Sequence, residues 1–122
     1  MTTQQTTSTK HTGSADYKAC IDACNACVTA CEQCAIACTR EPEAAAMAAC
    51  IAADLDCADL CALAARLMAR DSALASEACR LCADACDVCV RECEKHGVQH
   101  AHCKVCADSC RRCAAECRRM AA

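Results

Sequence analysis

The chain has 122 residues, a length typical of one domain, and contains one Tyr and no Phe or Trp. Its hydrophobic content of 56% is mostly Ala and Cys, which excludes an ordinary core of Leu, Val, Ile and Phe and leaves the thiols to pack the interior. The net charge of −3 provides no basic field for nucleic acid, so we expect no nucleic-acid partner.

The N-terminal segment is polar and rich in Thr and Gln. We predict a flexible tail over residues 1–13 and a single helical domain over residues 14–122. The tail has no apolar region of the kind found in secretory signals. No stretch of the chain approaches the roughly 20 apolar residues that cross a membrane. The sequence therefore predicts a cytoplasmic protein without a membrane segment.

Helices are predicted for most of the chain because it contains only two Gly and one Pro. Ser14 is a candidate N-cap for helix 1, and Pro42 is tolerated at the start of helix 2. Asp71 and Ser72 are candidate caps for helix 3, and Gly97 is predicted to follow its last residue. We predict helices over about residues 14–39, 42–70, 72–96 and 98–120.

The nineteen cysteines follow a helical heptad. In helix 1 they are separated by steps of 4, 3, 4, 3 and 4 residues, the spacing that helix bundles give to core Leu and Ile. Short connections make neighbouring helices antiparallel, so the predicted fold is all-α, an up-down-up-down four-helix bundle with a cysteine-lined core. The candidate metal ligands are Cys20, Cys24, Cys27, Cys31, Cys34, Cys38, Cys50, Cys57, Cys61, Cys79, Cys82, Cys86, Cys89, Cys93, Cys103, Cys106, Cys110, Cys113 and Cys117.

Soft thiolates at this density favour soft metals, and Cu(I) heads that list. The odd number of cysteines and their helical positions argue against a disulfide scaffold. Eight CxxxC pairs could each hold one Cu(I) within a helix. If each Cu(I) has two thiolate ligands and each thiolate bridges two Cu(I) ions, we expect about one copper per cysteine. Exchange of each thiol proton for Cu(I) leaves the core neutral, whereas one Zn(II) per thiol would leave a large positive charge.

The heptad seams give the bundle two different ends. We name one the histidine end: it contains the first and third connections, where Met47, His96, His100 and His102 are candidate residues for metal uptake. Asp54 lies on a seam between two cysteines and is a candidate accessory ligand, since a buried carboxylate needs a partner or a metal. The opposite, closed end is predicted to be filled by Tyr17, Ala64, Met68, Ala75 and Met120.

Three features resemble the bacterial cytosolic copper storage proteins, which are cysteine-rich four-helix bundles. They are the CxxxC ladder over residues 20–38, the motif LDCADLC at 55–61 and the segment EKHGVQHAHCKVCADSCRRCAAEC at 94–117. The resemblance implies storage of many Cu(I) ions, core cysteines as ligands and histidines near the open end. It also implies a homo-oligomer, with tetramers typical of the family.

Our interpretation of the sequence is a non-enzymatic protein that stores Cu(I) in the cytoplasm, for buffering, detoxification or supply to cuproenzymes. The copper chaperone or cuproenzyme that would receive the metal is unknown. Two alternatives remain open at this point. One is a metallothionein-like zinc buffer, and the other is a thiol redox protein with a reactive cysteine of low pKa.

Overall fold

The computed structural model describes residues 13–121, with side chains from Tyr17 onward. The predicted tail lies outside the described residues except for Gly13, the first residue of a helix. A 3-10 helix, Ala44–Met47, directly precedes the second α-helix. The α-helices are α1 (Gly13–Thr39), α2 (Ala48–Ala69), α3 (Ala75–Glu94) and α4 (Ala101–Ala121). The predicted all-α fold is confirmed.

The four helices form a ring in which each contacts two others. α1 packs against α2 and α4, and α3 packs against the same two helices. Because the connections are short, successive helices run in opposite directions, as in the predicted up-down-up-down bundle. No helix in the described part of the chain is long and apolar enough to cross a membrane.

The predicted start of helix 2 at Pro42 is wrong. Pro42 lies in a turn, and the next residues form the 3-10 helix. The Ala44 N–H donates to the Glu41 carbonyl at 3.1 Å and the Ala46 N–H to the Glu43 carbonyl at 2.9 Å. No side chain caps the N-terminus of α2. The hydrogen bonds of these tighter turns instead satisfy backbone N–H groups just before the helix.

The connection between α3 and α4 is longer than predicted. α3 ends two residues before His96, and α4 begins directly after His100 rather than at Val98. The His100 N–H donates to the His96 carbonyl at 2.9 Å and closes a turn between the helices. Gly97 does not adopt a left-handed conformation, so its predicted role as the residue ending helix 3 is wrong.

Asp71 ends α2 and does not cap α3, so its predicted role as a cap of helix 3 is wrong. Its φ of 53° is in the left-handed region. Its N–H donates to the Met68 carbonyl at 3.0 Å, and the Ser72 N–H donates to the Leu67 carbonyl at 2.9 Å. This pair of bonds is a Schellman motif. Ser72 does act ahead of α3, since its Oγ accepts from the Leu74 N–H at 3.1 Å.

Most of the core consists of cysteine sulfur and small side chains. Alanines such as Ala83, Ala107 and Ala114 are buried between the cysteines. The closed end is filled as predicted, because all five apolar side chains expected there are buried: Tyr17, Ala64, Met68, Ala75 and Met120. The interior therefore has sulfur along its length and an apolar layer at one end.

Candidate metal centre

All nineteen cysteine side chains lie inside the bundle. Each is 0 or 1% exposed, and each is a free thiol. The helices α1 to α4 contribute six, three, five and five of them in chain order. The heptad places them there because a and d positions face the bundle axis. The structure thus encloses every thiol of the chain in a single interior.

The sulfur atoms form a network that joins all four helices. The shortest separations are between helices: the Sγ atoms of Cys61 and Cys82 are 3.4 Å apart, and those of Cys50 and Cys93 are 3.5 Å apart. Separations within a helix are longer, for example 3.8 Å from Cys27 Sγ to Cys31 Sγ. The sequence suggested ladders along single helices. The structure instead brings thiols of neighbouring helices closest together.

Several groups of four thiols have their sulfur atoms within 4.8 Å of one another. One contains two residues of α1, one of α2 and one of α4: Cys27, Cys31, Cys57 and Cys110. Others reuse the same residues, because Cys27 also belongs to a group with Cys61, Cys86 and Cys113. The groups overlap, so the core is one continuous donor set and not a row of separate four-ligand sites.

Burial favours the neutral form of two thiols at the histidine end, those of Cys38 and Cys103. It raises the pKa of Cys38 to about 12 and also raises the pKa of Cys103. A metal ion that binds there must displace a proton from each thiol that becomes a thiolate. A monovalent ion makes that exchange without changing the charge of the core.

Asp54 is a fully buried carboxyl among these thiols. Its Oδ1 accepts from Cys89 Sγ at 3.0 Å, from Cys106 Sγ at 3.3 Å and from Cys93 Sγ at 3.5 Å. Its Oδ2 is buried with no hydrogen-bond partner within the described residues. Burial, with a contribution from the Cys89 bond, raises the pKa of Asp54 to about 12. The carboxyl is therefore neutral in this state, and one oxygen remains available.

His102 lies at the surface of the sulfur core. Its Nδ1 is 3.6 Å from Cys34 Sγ, 3.6 Å from Cys103 Sγ and 3.9 Å from Cys38 Sγ. Its Nε2 is 3.1 Å from Glu41 Oε2. Burial disfavours the charged ring, but the hydrogen bonds to Cys34 and Glu41 outweigh it and raise the pKa of His102. The ring thus connects three buried thiols to a carboxylate.

His100 faces two carboxylates and no thiol. Its Nδ1 is 3.3 Å from Glu41 Oε2, and its Nε2 is 3.0 Å from Glu43 Oε2. A hydrogen bond from its own backbone N–H and then the bond from His100 lower the pKa of Glu43. Neither glutamate was predicted from the sequence to belong to this end. Their signal was the EPE segment in the first connection, which an antiparallel bundle brings to the same end as the histidines.

The other two candidates for uptake occupy different positions. Met47 is completely buried at the histidine end, where the 3-10 helix meets the core. His96 is partly buried in the turn after α3. Among the hydrogen bonds within residues 13–121, none joins the His96 ring to a thiol; it interacts with Glu43 through charge. Of the three histidines, the structure brings only His102 to the sulfur atoms.

The fold and the site together define a four-helix bundle with a continuous thiol core suited to soft metal ions. The family model described as "Copper storage protein" matches residues 13–122. The chain therefore belongs to the copper storage protein family, and the resemblance inferred from the sequence is confirmed. No curated protein sequence matches the chain.

Three solved structures illustrate the similarity. Cu(I)-bound copper storage protein BsCsp3 is 46% identical over 87% of this chain and 98% of its own, with a TM-score of 0.82. Apo-Csp3 from Bacillus subtilis is 45% identical over 87% of this chain and 99% of its own, with a TM-score of 0.80. A cytosolic copper storage protein from Streptomyces lividans with five coppers is 36% identical over 88% and 93%, with a TM-score of 0.85.

Proposed function

We propose that this protein stores Cu(I) ions in its thiol core, at about one copper per cysteine. The observation that carries the proposal is the continuous network of nineteen buried free thiols. Each sulfur can bridge metal ions to its neighbours on other helices, so the whole interior acts as one ligand. Membership of the copper storage protein family and the Cu(I)-bound relative support the choice of metal.

An anaerobic Cu(I) titration of the reduced protein against a chromophoric chelator tests the capacity. We expect the protein to outcompete the chelator until about 19 equivalents are bound, as soft thiolates favour Cu(I). The double variant Cys27→Ser/Cys110→Ser is the matched control and should saturate about two equivalents earlier. Saturation of the unmodified protein at one to four equivalents would contradict storage in the core.

The structure offers less support for the two alternatives. A zinc buffer needs separate sets of four ligands, and the thiol groups here overlap. A redox protein needs an accessible reactive thiol, and no cysteine is more than 1% exposed. We therefore propose a binding protein that is not an enzyme.

Copper uptake at the histidine end is the second part of the proposal. His102 supports it because its Nδ1 faces three thiols, while His96, His100 and Met47 lie at the same end. The triple variant His96→Ala/His100→Ala/His102→Ala should load copper more slowly in stopped-flow measurements. Gln99→Ala, in the same exposed turn, is the control. Equal loading rates for the triple variant and the unmodified protein would refute this route.

Asp54 is proposed as an accessory copper ligand. Its unpartnered Oδ2 and its three thiol neighbours support this role. On loading, the carboxyl would release its proton and share a metal with those thiolates. X-ray absorption of protein with partial copper loading should contain an oxygen contribution that Asp54→Ala removes. Identical spectra for the two proteins would contradict the role.

We also propose a cytoplasmic homotetramer that supplies copper to a chaperone or cuproenzyme, or keeps the metal sequestered. The Streptomyces lividans relative is a cytosolic protein. Exposed apolar side chains, including Leu81 and Val88, support an assembly because a second subunit could cover them. Sedimentation should give a mass about four times the 12.8 kDa of one chain. A mass of one chain would contradict the tetramer.

A further inference from the structure

One carboxylate oxygen at the histidine end contacts the imidazole rings of both His100 and His102. Glu41 Oε2 lies 3.1 Å from His102 Nε2 and 3.3 Å from His100 Nδ1. The Glu43 carboxylate, by contrast, lies within hydrogen-bonding distance of His100 alone among the residues described, and its side chain is 45% exposed against 27% for Glu41. Glu41 is therefore the carboxylate that is linked to the thiol core, through His102.

The contact with Glu41 determines which nitrogen of His102 faces the sulfur atoms. A carboxylate oxygen can only accept a hydrogen bond, so His102 Nε2 must carry the proton. In the neutral ring the lone pair then lies on Nδ1. Nδ1 is the atom directed at Cys34, Cys38 and Cys103. With the proton on Nδ1 instead, the neutral ring could not offer nitrogen as a ligand on that side.

Glu41 is itself held in place by the backbone. Its N–H donates to the Cys38 carbonyl at 3.2 Å, and its carbonyl accepts from the Ala44 N–H at 3.1 Å. Pro42 follows it and restricts its conformation further. The Cys38 residue that anchors Glu41 also supplies one of the three thiols beside His102. The carboxylate and these thiols are thus positioned by one short segment.

We propose that Glu41 is a positioning residue for copper uptake: it holds His102 with Nδ1 free and directed at Cys34, Cys38 and Cys103. The inference rests on the proposed role of the histidine end. An imidazole that coordinates a metal through one nitrogen commonly donates its other N–H to a carboxylate, which fixes the tautomer and the ring orientation. In this arrangement His102 passes an incoming Cu(I) ion to the three thiols without reorienting.

Glu41 could act through its charge instead, by attracting the cation, and the variants separate the two roles. Glu41→Gln removes the charge but keeps an amide oxygen that can accept from His102 Nε2. Glu41→Ala removes both the charge and the acceptor. Glu94→Ala removes a carboxylate from the end of α3, where it pairs with Arg111 and does not contact the histidines.

The experiment is anaerobic stopped-flow transfer of the first Cu(I) equivalent from a chromophoric chelator. We expect Glu41→Ala to slow transfer about tenfold, as loss of such an outer carboxylate commonly does. Glu41→Gln should recover most of the rate, and Glu94→Ala should match the unmodified protein. If Glu41→Gln is as slow as Glu41→Ala, attraction of the cation explains the effect and the positioning role is overturned.

Two further measurements distinguish this inference from the uptake proposal. In the His102→Ala background, Glu41→Ala should cause no additional slowing; a full additional effect overturns the inference. If His102→Ala itself loads at the normal rate, the uptake role of His102 fails instead. Nitrogen-15 NMR of the apo-protein should find His102 protonated at Nε2, and Glu41→Ala should shift the tautomer balance. An unchanged tautomer would also overturn the inference.

Discussion

Asp54 accepts a hydrogen bond from the thiol of Cys89, with 3.0 Å between Oδ1 and Sγ, and both side chains are completely buried. A charged carboxylate in that position would lack water and any cationic partner among the described residues, and burial accordingly raises the pKa of Asp54 to about 12. The metal-free core therefore contains a protonated acid at neutral pH.

This protonation makes the stability of the metal-free protein depend on pH. The folded-state pKa of Asp54 lies above the unfolded value of about 3.9, so the extra stability is present below pH ~4 and is lost as pH rises toward the folded pKa. In that window the free energy of unfolding falls by up to about 1.4 kcal/mol per pH unit. We expect urea unfolding to be easier at pH 7.5 than at pH 5.

Asp54→Asn is the matched control for this pH effect because the amide does not titrate. The thiols that interact with the carboxyl, those of Cys34, Cys89, Cys93 and Cys106, remain in the variant. The difference in unfolding free energy between the two proteins should therefore change by about 1–3 kcal/mol between pH 5 and 7.5. A difference that is constant over this range would mean that Asp54 titrates normally.

Met68 should contribute to stability without affecting copper uptake. It is completely buried at the closed end, so Met68→Ala should leave a cavity and lower the free energy of unfolding by about 2–5 kcal/mol. Leu55→Ala, at a residue 47% exposed on the same helix, should cost less than about 0.5 kcal/mol. Stopped-flow copper loading of folded Met68→Ala should match the unmodified protein. Slower loading would place a copper route at the closed end.

The left-handed conformation of Asp71 predicts opposite effects for two substitutions. Gly adopts a φ of 53° without strain, so Asp71→Gly should leave the thermal midpoint unchanged or raise stability by up to about 1 kcal/mol. Asp71→Val should lower stability by about 1–2 kcal/mol, because a β-branched side chain clashes in this region. Equal midpoints for Gly and Val would contradict the Schellman ending of α2.

We expect the protein to bind only a few Zn(II) ions and to release them when Cu(I) is added. A tetrahedral site with Zn–S bonds of about 2.3 Å needs sulfur atoms about 3.8 Å apart, and the core supplies such distances. Overlap of the thiol groups, however, limits nineteen cysteines to about four complete zinc sites. We expect Cu(I) to release all bound Zn(II), followed with a zinc dye. Zinc retained after full copper addition would favour the zinc-buffer alternative.

The sequence predicted the fold well because its periodicity and its composition agree. Steps of three and four residues place every cysteine on an inward face, and the structure buries all nineteen. Because Gly and Pro are rare, few positions can end a helix, and the order of the four helices could therefore be predicted as well. Errors occurred at the helix ends, where Pro42 lies in a turn before a 3-10 helix and Asp71 adopts a left-handed conformation. Local propensity does not determine such details.

The candidate site was predictable in composition but not in geometry. Heptad spacing identified the cysteines and Asp54, since both occupy seam positions. It could not reveal that Cys61 approaches Cys82 more closely than any thiol on its own helix, because such distances depend on the relative rotation and height of two helices. It also could not select His102 over His96, since their separation depends on the turn that precedes α4.

The short distances between sulfur atoms of different helices have a consequence for the lifetime of the molecule. A metal ion held by Cys61 and Cys82 would tie α2 to α3, and one held by Cys27 and Cys110 would tie α1 to α4. The empty bundle has no such links between its helices, whereas the loaded one would be cross-linked throughout. Proteolysis proceeds through opened chains, so empty molecules would be removed first and filled ones would persist. The amount of metal carried would thus set how long each copy survives.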